Sequence, residues 1–344
     1  MGVRLVTGEN PFREDSRRGW SRASFPFVIV AAMGLVLLIV CRSVFAQDYP
    51  IKSIRLIVPT PPGGNNDFAA RVIGPKLAES LGQQFVIDNR AGAGSNIGAE
   101  MVARSAPDGY TLLMAMSAQT INMTLYRNMP YDTAKDFAPV SMVVDGQVIL
   151  VIHPSVPVTS VRELITLAKS KPGRLSYASS GNGTTPHLIM EYFKGAAGIN
   201  VLHVVYKGAS QAIVDTVSGR VDMMFAGMVQ WPLVKGKLKA LAVSGAKRSA
   251  LAPDVPTVAE AAIPDFEAGV WQGVLAPAGT PKGIIVKLYS AIHAALQMPD
   301  VINRYASVGF EPVGSTPEAF AAFLKADISR WVKVVKESGA QVDY

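Results

Sequence analysis

Two loops in the sequence carry the residue types with which a backbone grips an anion. Pro61-Pro62-Gly63-Gly64-Asn65-Asn66-Asp67 follows the apolar run Ile54–Val58 and opens a helical pattern. Ser179-Ser180-Gly181-Asn182-Gly183-Thr184-Thr185-Pro186-His187 follows Leu175–Ala178 and opens another. The glycines leave bare backbone that a ligand approaches closely. Asn65, Asn66 and Asp67 cap and charge a helix start. Free N–H groups and the positive end of the helix dipole then face the same point. Either loop alone reads equally well as an ordinary turn with its N-cap. Two of one design, rich in donors and with no acid besides Asp67, describe a carboxylate held from both sides by N–H and hydroxyl groups.

In an open α/β sheet the ligand lies outside the carboxyl ends of the strands. Shorter strand-end segments therefore complete the ring: Met116-Ser117-Ala118-Gln119-Thr120, Tyr206-Lys207-Gly208 and Ala226-Gly227. The predicted ligand contacts are Pro62, Gly63, Gly64, Asn65, Asn66, Asp67, Ser117, Gln119, Ser179, Ser180, Gly181, Asn182, Gly183, Thr184, His187, Tyr206 and Ala226. His187 has two readings, a base beside Ser179 or Ser180 or a ligand-facing or helix-capping ring. Lys207 either meets the ligand's charge or sits solvated beside a turn. Asp222, near the start of its strand, is expected away from the ligand.

Other chemistries find little footing. Gly92-Ala93-Gly94-Ser95-Asn96-Ile97-Gly98 follows a strand but misses the dinucleotide fingerprint by one residue. There is no Walker lysine motif and no nucleophile elbow. His153, His187, His203 and His293 are scattered without metal-ligand spacing. No catalytic residue, cofactor or metal is expected. A serine hydrolase using Ser180 with His187 is the remote alternative, and it has no acid partner visible in the sequence.

The elements that must position these loops alternate. Strand-like runs are Ile54–Val58, Phe85–Ile87, Thr111–Met116, Val148–His153, Leu175–Ala178, Val201–Tyr206, Val221–Phe225, Leu238–Val243 and Val270–Leu275. Helical patterns are Asp67–Leu81, Asn96–Ser105, Val161–Ser170, Pro186–Ala197, Ser210–Ser218, Lys282–Leu296, Pro299–Val308 and Pro317–Ser338. Pro75 should kink or break the first helix. Such alternation predicts βαβ units, parallel sheets and an α/β class. Two α/β lobes joined by two extended crossings fit this order: lobe 1 from 47–148 and 273–344, lobe 2 from 149–272.

The front end reads as an export signal. Arg4, Arg13, Arg17, Arg18 and Arg22 precede an uncharged run of about 17 residues, Phe25–Cys41, and Val44 and Ala46 suit signal peptidase. Cleavage after Ala46 would leave 47–344 as the mature, periplasmic chain. A retained run of this length could just span a bilayer, but the small-residue site favours removal. Ser16-Arg17-Arg18-Gly19-Trp20 resembles a twin-arginine signal, while the apolar run suits the Sec route. The lone cysteine, Cys41, would leave with the signal, and the mature charge falls from +7 to 27 basic against 23 acidic residues. No polybasic run is present, so nucleic acid is not an expected partner.

From Tyr49 to about Val342 the chain resembles the periplasmic substrate-binding proteins of tripartite tricarboxylate transporters, the Bug family. The stretches that carry the resemblance include Ile57-Val58-Pro59-Thr60-Pro61-Pro62-Gly63-Gly64, Asp88-Asn89-Arg90-Ala91-Gly92-Ala93-Gly94, Ala106-Pro107-Asp108-Gly109-Tyr110-Thr111 and Tyr177-Ala178-Ser179-Ser180-Gly181-Asn182-Gly183-Thr184. Lys135-Asp136-Phe137-Ala138-Pro139-Val140, Leu251-Ala252-Pro253-Asp254-Val255-Pro256-Thr257 and Leu275-Ala276-Pro277-Ala278-Gly279-Thr280-Pro281 continue it. The resemblance implies a type II periplasmic-binding fold of Venus-flytrap form. It implies a ligand carboxylate held by the Pro61–Asp67 and Ser179–Thr185 loops, partly through water. It also implies a monomer delivering its ligand to membrane permease subunits, or a related protein reporting to a sensor kinase. Family ligands are small carboxylates: tricarboxylates, dicarboxylates, acidic amino acids, nicotinate and aromatic acids. Asn66, Val205 and Ala226-Gly227 depart from the usual pattern, so no relative's ligand carries over.

Overall fold

A computed structural model describes residues 1–2 and 49–338. The export-signal reading falls on residues outside that range. The elements below belong to one compact unit that begins at Pro50.

The run Ile54–Val58 forms β1, in which Ile54, Leu56, Ile57 and Val58 are fully buried. It lies parallel between β2 (Phe85–Asn89) and β3 (Thr111–Met116). The sheet continues through β10 (Gln272–Pro277), β4 (Phe137–Asp145) and β11 (Glu311–Pro312), each antiparallel to its neighbours. The second sheet has the order β7 (Leu202–Val205), β6 (Ser176–Ser179), β8 (Met223–Gly227), β5 (Val148–Ile152) and β9 (Lys239–Val243). Here β6 is parallel to β7 and β8, while β5 is antiparallel to β8 and β9. The fold is the α/β periplasmic-binding type, with two sheets and helices around them.

The sheets are mixed where sequence periodicity predicts parallel ones. The odd strands are β5, β10 and the two-residue β11; the first two carry the chain into one lobe from the other. A strand entering from the neighbouring lobe starts at the cleft and runs opposite to the βαβ strands that end there. The two crossings are tied together. Val270 N–H donates to Gly146 O at 2.9 Å, and Ser244 Oγ accepts from Val148 N–H at 3.1 Å and donates to Ala268 O at 2.6 Å.

In chain order the helices are α1 (Asn65–Leu81), α2 (Asn96–Ala103), α3 (Ala118–Leu125), α4 (Val161–Ser170), α5 (Thr185–Ala197) and α6 (Ala209–Val217). They continue with α7 (Trp231–Val234), α8 (Val258–Ala261), α9 (Lys282–Leu296), α10 (Pro299–Ala306) and α11 (Pro317–Ser338). Helix α1 runs on through Pro75 without a break, and Gly74 before it lets the helix press against Ile87. Strand β4 and helix α3 escape the periodicity. Pro139 disrupts the strand pattern, yet β11 bonds β4 only at Val144 and Asp145, so the missing N–H falls where no strand needs it. Trp331 and Val335 of α11 pack with Ile121 and Leu125 of α3 and Leu188 of α5, joining both lobes in one apolar cluster. Among the described residues no helix is long and apolar enough to cross a membrane.

Candidate ligand-binding cleft

A cleft of about 650 Å³ lies between the two sheets. The first loop contributes Pro61, Pro62, Gly64, Asn65 and Asn66; the second contributes Ser180, Gly181, Asn182, Thr184 and Thr185. Four helices begin on its wall: α1 at Asn65, α2 behind Gly92–Ser95, α5 at Thr185 and α6 at Ala209. None of the four N-cap positions (Gly64, Ser95, Thr184 and Gly208) places a side-chain bond on its helix. By contrast, Ser160 and Thr257 do cap α4 and α8, whose starts lie off the cleft. Uncapped starts also occur at α9 and α10, so it is the convergence of four on one space that matters. All four set dipole ends on the cleft, but only α1, α5 and α6 leave first-turn N–H groups open, since Asn96 and Ile97 of α2 bond back to Ala93 O and Gly92 O. Among the described residues Lys207 is the one charged side chain on the wall, and no Asp or Glu lines it.

Which N–H groups are open differs from what the loops' glycines suggest. Gly63 N–H donates to Asp67 Oδ2 at 3.0 Å, Gly181 N–H to Ser179 Oγ at 3.2 Å and Gly183 N–H to His187 Nδ1 at 3.1 Å. Those three brace the loops from within. Among the described residues no acceptor lies on the N–H of Gly64, Asn65, Ser180 or Asn182, all of which line the cleft. Gly64 has an ordinary φ of −92°, and a Cβ there would meet nothing within 4 Å. The fold does not require a glycine at this point; its missing side chain leaves room for a guest.

Eight of the predicted contacts stand behind the wall. Asp67 is buried and accepts from Arg71, Asn89 and Gly63. Burial alone would raise its carboxyl, but the bonds from Arg71, Gly63 and Asn89 outweigh that and hold it below the usual carboxylate range. Ser117 Oγ accepts from Trp271 N–H at 3.1 Å, and Gln119 Oε1 accepts from Met116 N–H at 2.8 Å. Ala226 and Ser179 are fully buried, and Gly63 and Gly183 turn their N–H groups inward. His187, the eighth, is 6% exposed and serves as an acceptor for the second loop.

Behind that loop the rings of Tyr177, His187 and His203 lie nearly parallel, with His203 centred 4.5 Å from Tyr177 and 4.3 Å from His187. His203 Nε2 meets Ser179 Oγ at 2.6 Å. Burial pushes His187 down to about 4 and His203 down to about 3, aided for His203 by the charge of its neighbours His187 and Lys194. Both rings are neutral in ordinary buffers. Ser180 does not meet His187; its hydroxyl donates to Thr184 Oγ1 at 3.1 Å. Tyr206 lines the cleft and donates its hydroxyl to Asp215 at 2.7 Å. Asp222 is held by Ser176, away from the cleft.

Across the cleft the lobes meet through neutral groups. Tyr126 Oη donates to Asn182 O at 3.3 Å and Gln230 Nε2 to Gly63 O at 3.0 Å. Among the described residues every ion pair joins partners on one lobe.

The profile of the tripartite tricarboxylate transporter family receptors matches residues 69–340. The chain belongs to that family. The receptor is 40% identical over 307 residues to Protein BugT of Bordetella pertussis, covering 88% of this chain and 94% of that one. A solved protein of R. palustris with adipate superposes with a TM-score of 0.81 at 38% identity, covering 85% of this chain and 99% of that one. MatC from Rhodopseudomonas palustris with bound malate gives 0.79 at 32% identity, covering 83% and 100%. The family and its solved relatives are solute-binding proteins, not enzymes.

The receptor's wall also holds residues outside the predicted contacts. Ala91-Gly92-Ala93-Gly94-Ser95 forms a third glycine loop on the cleft, with Ala93, Gly94 and Ser95 all at positive φ. A search for a nucleotide fingerprint discards it, whereas the same donor logic applied to the other two loops finds it. Gly94 allows a close approach: a Cβ there would fall 2.4 Å from Tyr126 Oη and 2.7 Å from Asn182 O. Val148, Val270 and Gln272 line the wall from the crossings, and Met224 and Phe225 from mid-strand β8.

Proposed function

We propose that this receptor is an exported, periplasmic protein that captures one small carboxylate between its lobes and delivers it to a membrane permease of one large and one small subunit. The observation that carries the reading is the convergence of four helix starts, none with a side-chain cap, on a cleft that among the described residues has one cation and no acid. A field built from backbone dipoles favours an anion without requiring an ion pair. Adipate and malate in two relatives are of the same chemical class. The ligand contacts we assign are the open N–H groups of Gly64, Asn65, Ser180 and Asn182, with Asn66, Thr184 and Tyr206 beside them.

A thermal-shift screen of mono-, di- and tricarboxylates tests this. At a hundredfold excess over Kd a true ligand should stabilise the protein by about 2.7 kcal/mol. Gly64→Val should fold normally and lose the shift, since its side chain would enter only the cleft. A sugar or polyamine that shifts the melting curve while every carboxylate leaves it unmoved would sink the reading. Intact-mass measurement of the exported protein tests cleavage: a chain beginning at Gln47 is expected, and a membrane-bound species retaining residues 25–41 would refute it.

A further inference from the structure

Gln272 opens β10 at the floor of the cleft, opposite Met116 in the ladder. It is 2% exposed, yet its amide oxygen meets no donor, and no described hydrogen bond uses its side chain. Buried polar groups in native proteins are nearly always paired, so each orphan needs an account. Its partner across the ladder, Met116, is apolar, as are Val148, Met224, Phe225 and Val270 of the same wall. Three other oxygens of wall residues, Thr60 Oγ1, Asn65 Oδ1 and Asn66 Oδ1, are unpaired as well.

The residue is also held in place. Its neighbour Trp271 donates from its backbone to Ser117 Oγ and from its indole to Asp327 Oδ2 at 3.1 Å. Asp327 in turn accepts from Thr120 at 2.6 Å. A buried polar group on a braced strand, with its partner missing, has the form of a recognition group awaiting its ligand.

We propose that Gln272 is a specificity-determining residue, accepting a hydrogen bond from a hydroxyl or N–H group that the ligand carries in addition to its carboxylate. This rests on the carboxylate reading above and narrows it. The amide N–H groups of Gln272 can donate to a carboxylate, but a carboxylate accepts only, so a plain acid would leave the amide oxygen as unpaired as before. A site with a buried polar group discriminates against the analogue that cannot pair it.

Isothermal titration of the mature protein with matched acids tests this: benzoate with para-hydroxybenzoate, hexanoate with omega-hydroxyhexanoate, succinate with malate, and adipate as an unsubstituted diacid. Wild-type protein should bind at least one hydroxylated acid about fivefold more tightly than its plain partner, as one added hydrogen bond would produce. Gln272→Met, similar in length and without a polar amide, should bring that pair to within about twofold. The inference is overturned if the preference survives in Gln272→Met, or if plain acids bind the wild type as tightly as their hydroxylated partners. Should Gln272→Met fail to fold, the wild-type ranking alone decides. If no acid binds at all, the carboxylate reading fails and takes this inference with it; plain acids binding without preference overturn this inference alone.

Discussion

The two glycine loops face each other across one cleft but are braced by opposite chemistry. In lobe 1 the brace is ionic: Asp67 gathers Gly63 N–H, Arg71 and Asn89 behind the loop. In lobe 2 it is neutral: His187 takes Gly183 N–H, His203 holds Ser179, and Tyr177 stacks on the pair. None of the charged groups of the first brace lines the cleft, where Lys207 is the one cation among the described lining residues. The responses of the two braces to acid, however, must differ.

The largest expected effect is in that response. A histidine whose folded pKa lies below its unfolded value near 6.5 costs stability wherever the unfolded chain takes a proton and the folded one does not. For His187, lowered to about 4, that window runs from roughly pH 6.5 down to 4. Its contribution there is roughly 3 kcal/mol at most by linkage. Asp67 acts lower. Its depressed carboxyl stabilises the fold above its ordinary 3.8, and that contribution is lost only as pH falls through the folded value. Urea unfolding at pH 7, 5 and 4 should therefore show lobe 2's loss first, and His187→Phe should make the curve shallower by that histidine's share, with His203 keeping the remainder. An unchanged curve in that variant would mean that the histidine does not govern acid sensitivity.

Asp67→Ala should cost about 2–3 kcal/mol at neutral pH, because two amide donors lose their acceptor. The Arg71 contribution is discounted, since its side chain is 54% exposed. Ligand affinity should fall with it, because Gly63 begins the turn that presents Gly64. A variant of wild-type stability would show the ionic brace to be dispensable.

His187→Phe keeps an aromatic ring in the stack and removes the acceptor for Gly183 N–H. Stability at pH 7 should drop by about 1–2 kcal/mol, with ligand affinity falling in parallel. Calorimetry and titration on one sample distinguish loop loosening from global unfolding. Affinity unaffected by the change would uncouple this brace from the grip.

The smallest effect belongs to the hydroxyls on the second loop. Thr184 Oγ1 donates to Gly181 O at 2.7 Å and receives Ser180 Oγ, so both are already engaged. Ser180→Ala and Thr184→Ala should each weaken binding by about 0.5–1.5 kcal/mol. A larger loss would mean that a hydroxyl turns to the ligand when it binds.

The fold and two of the three donor loops are legible in the sequence because both loops follow strongly apolar strands and precede periodic helices. Val161–Ser170, Lys282–Leu296 and Pro317–Ser338 match the observed helices to the residue. What stays hidden has one geometric cause. Strand-end reasoning assumes that only carboxyl ends reach the ligand, yet β5 and β10 enter their lobes from the cleft. Their first residues, Val148 and Gln272, therefore lie on its floor. The braces are equally hidden, because His203 and Asn89 come from strands whose sequence gives no sign of what lies behind them. An α/β periodicity shows which way a residue faces its own core, and it says nothing about the neighbouring lobe.

The neutral bonds between the lobes have a consequence for the kinetics of release. Tyr126 to Asn182 and Gln230 to Gly63 involve no formal charge, and among the described residues the ion pairs stay within single lobes. Dissolved ions screen charges and leave such bonds nearly untouched. The lobe-to-lobe bonds should thus hold equally well from dilute to concentrated salt. Whatever salt dependence the residence time shows then comes from the guest's own contacts with the cleft and not from the closure of the lobes.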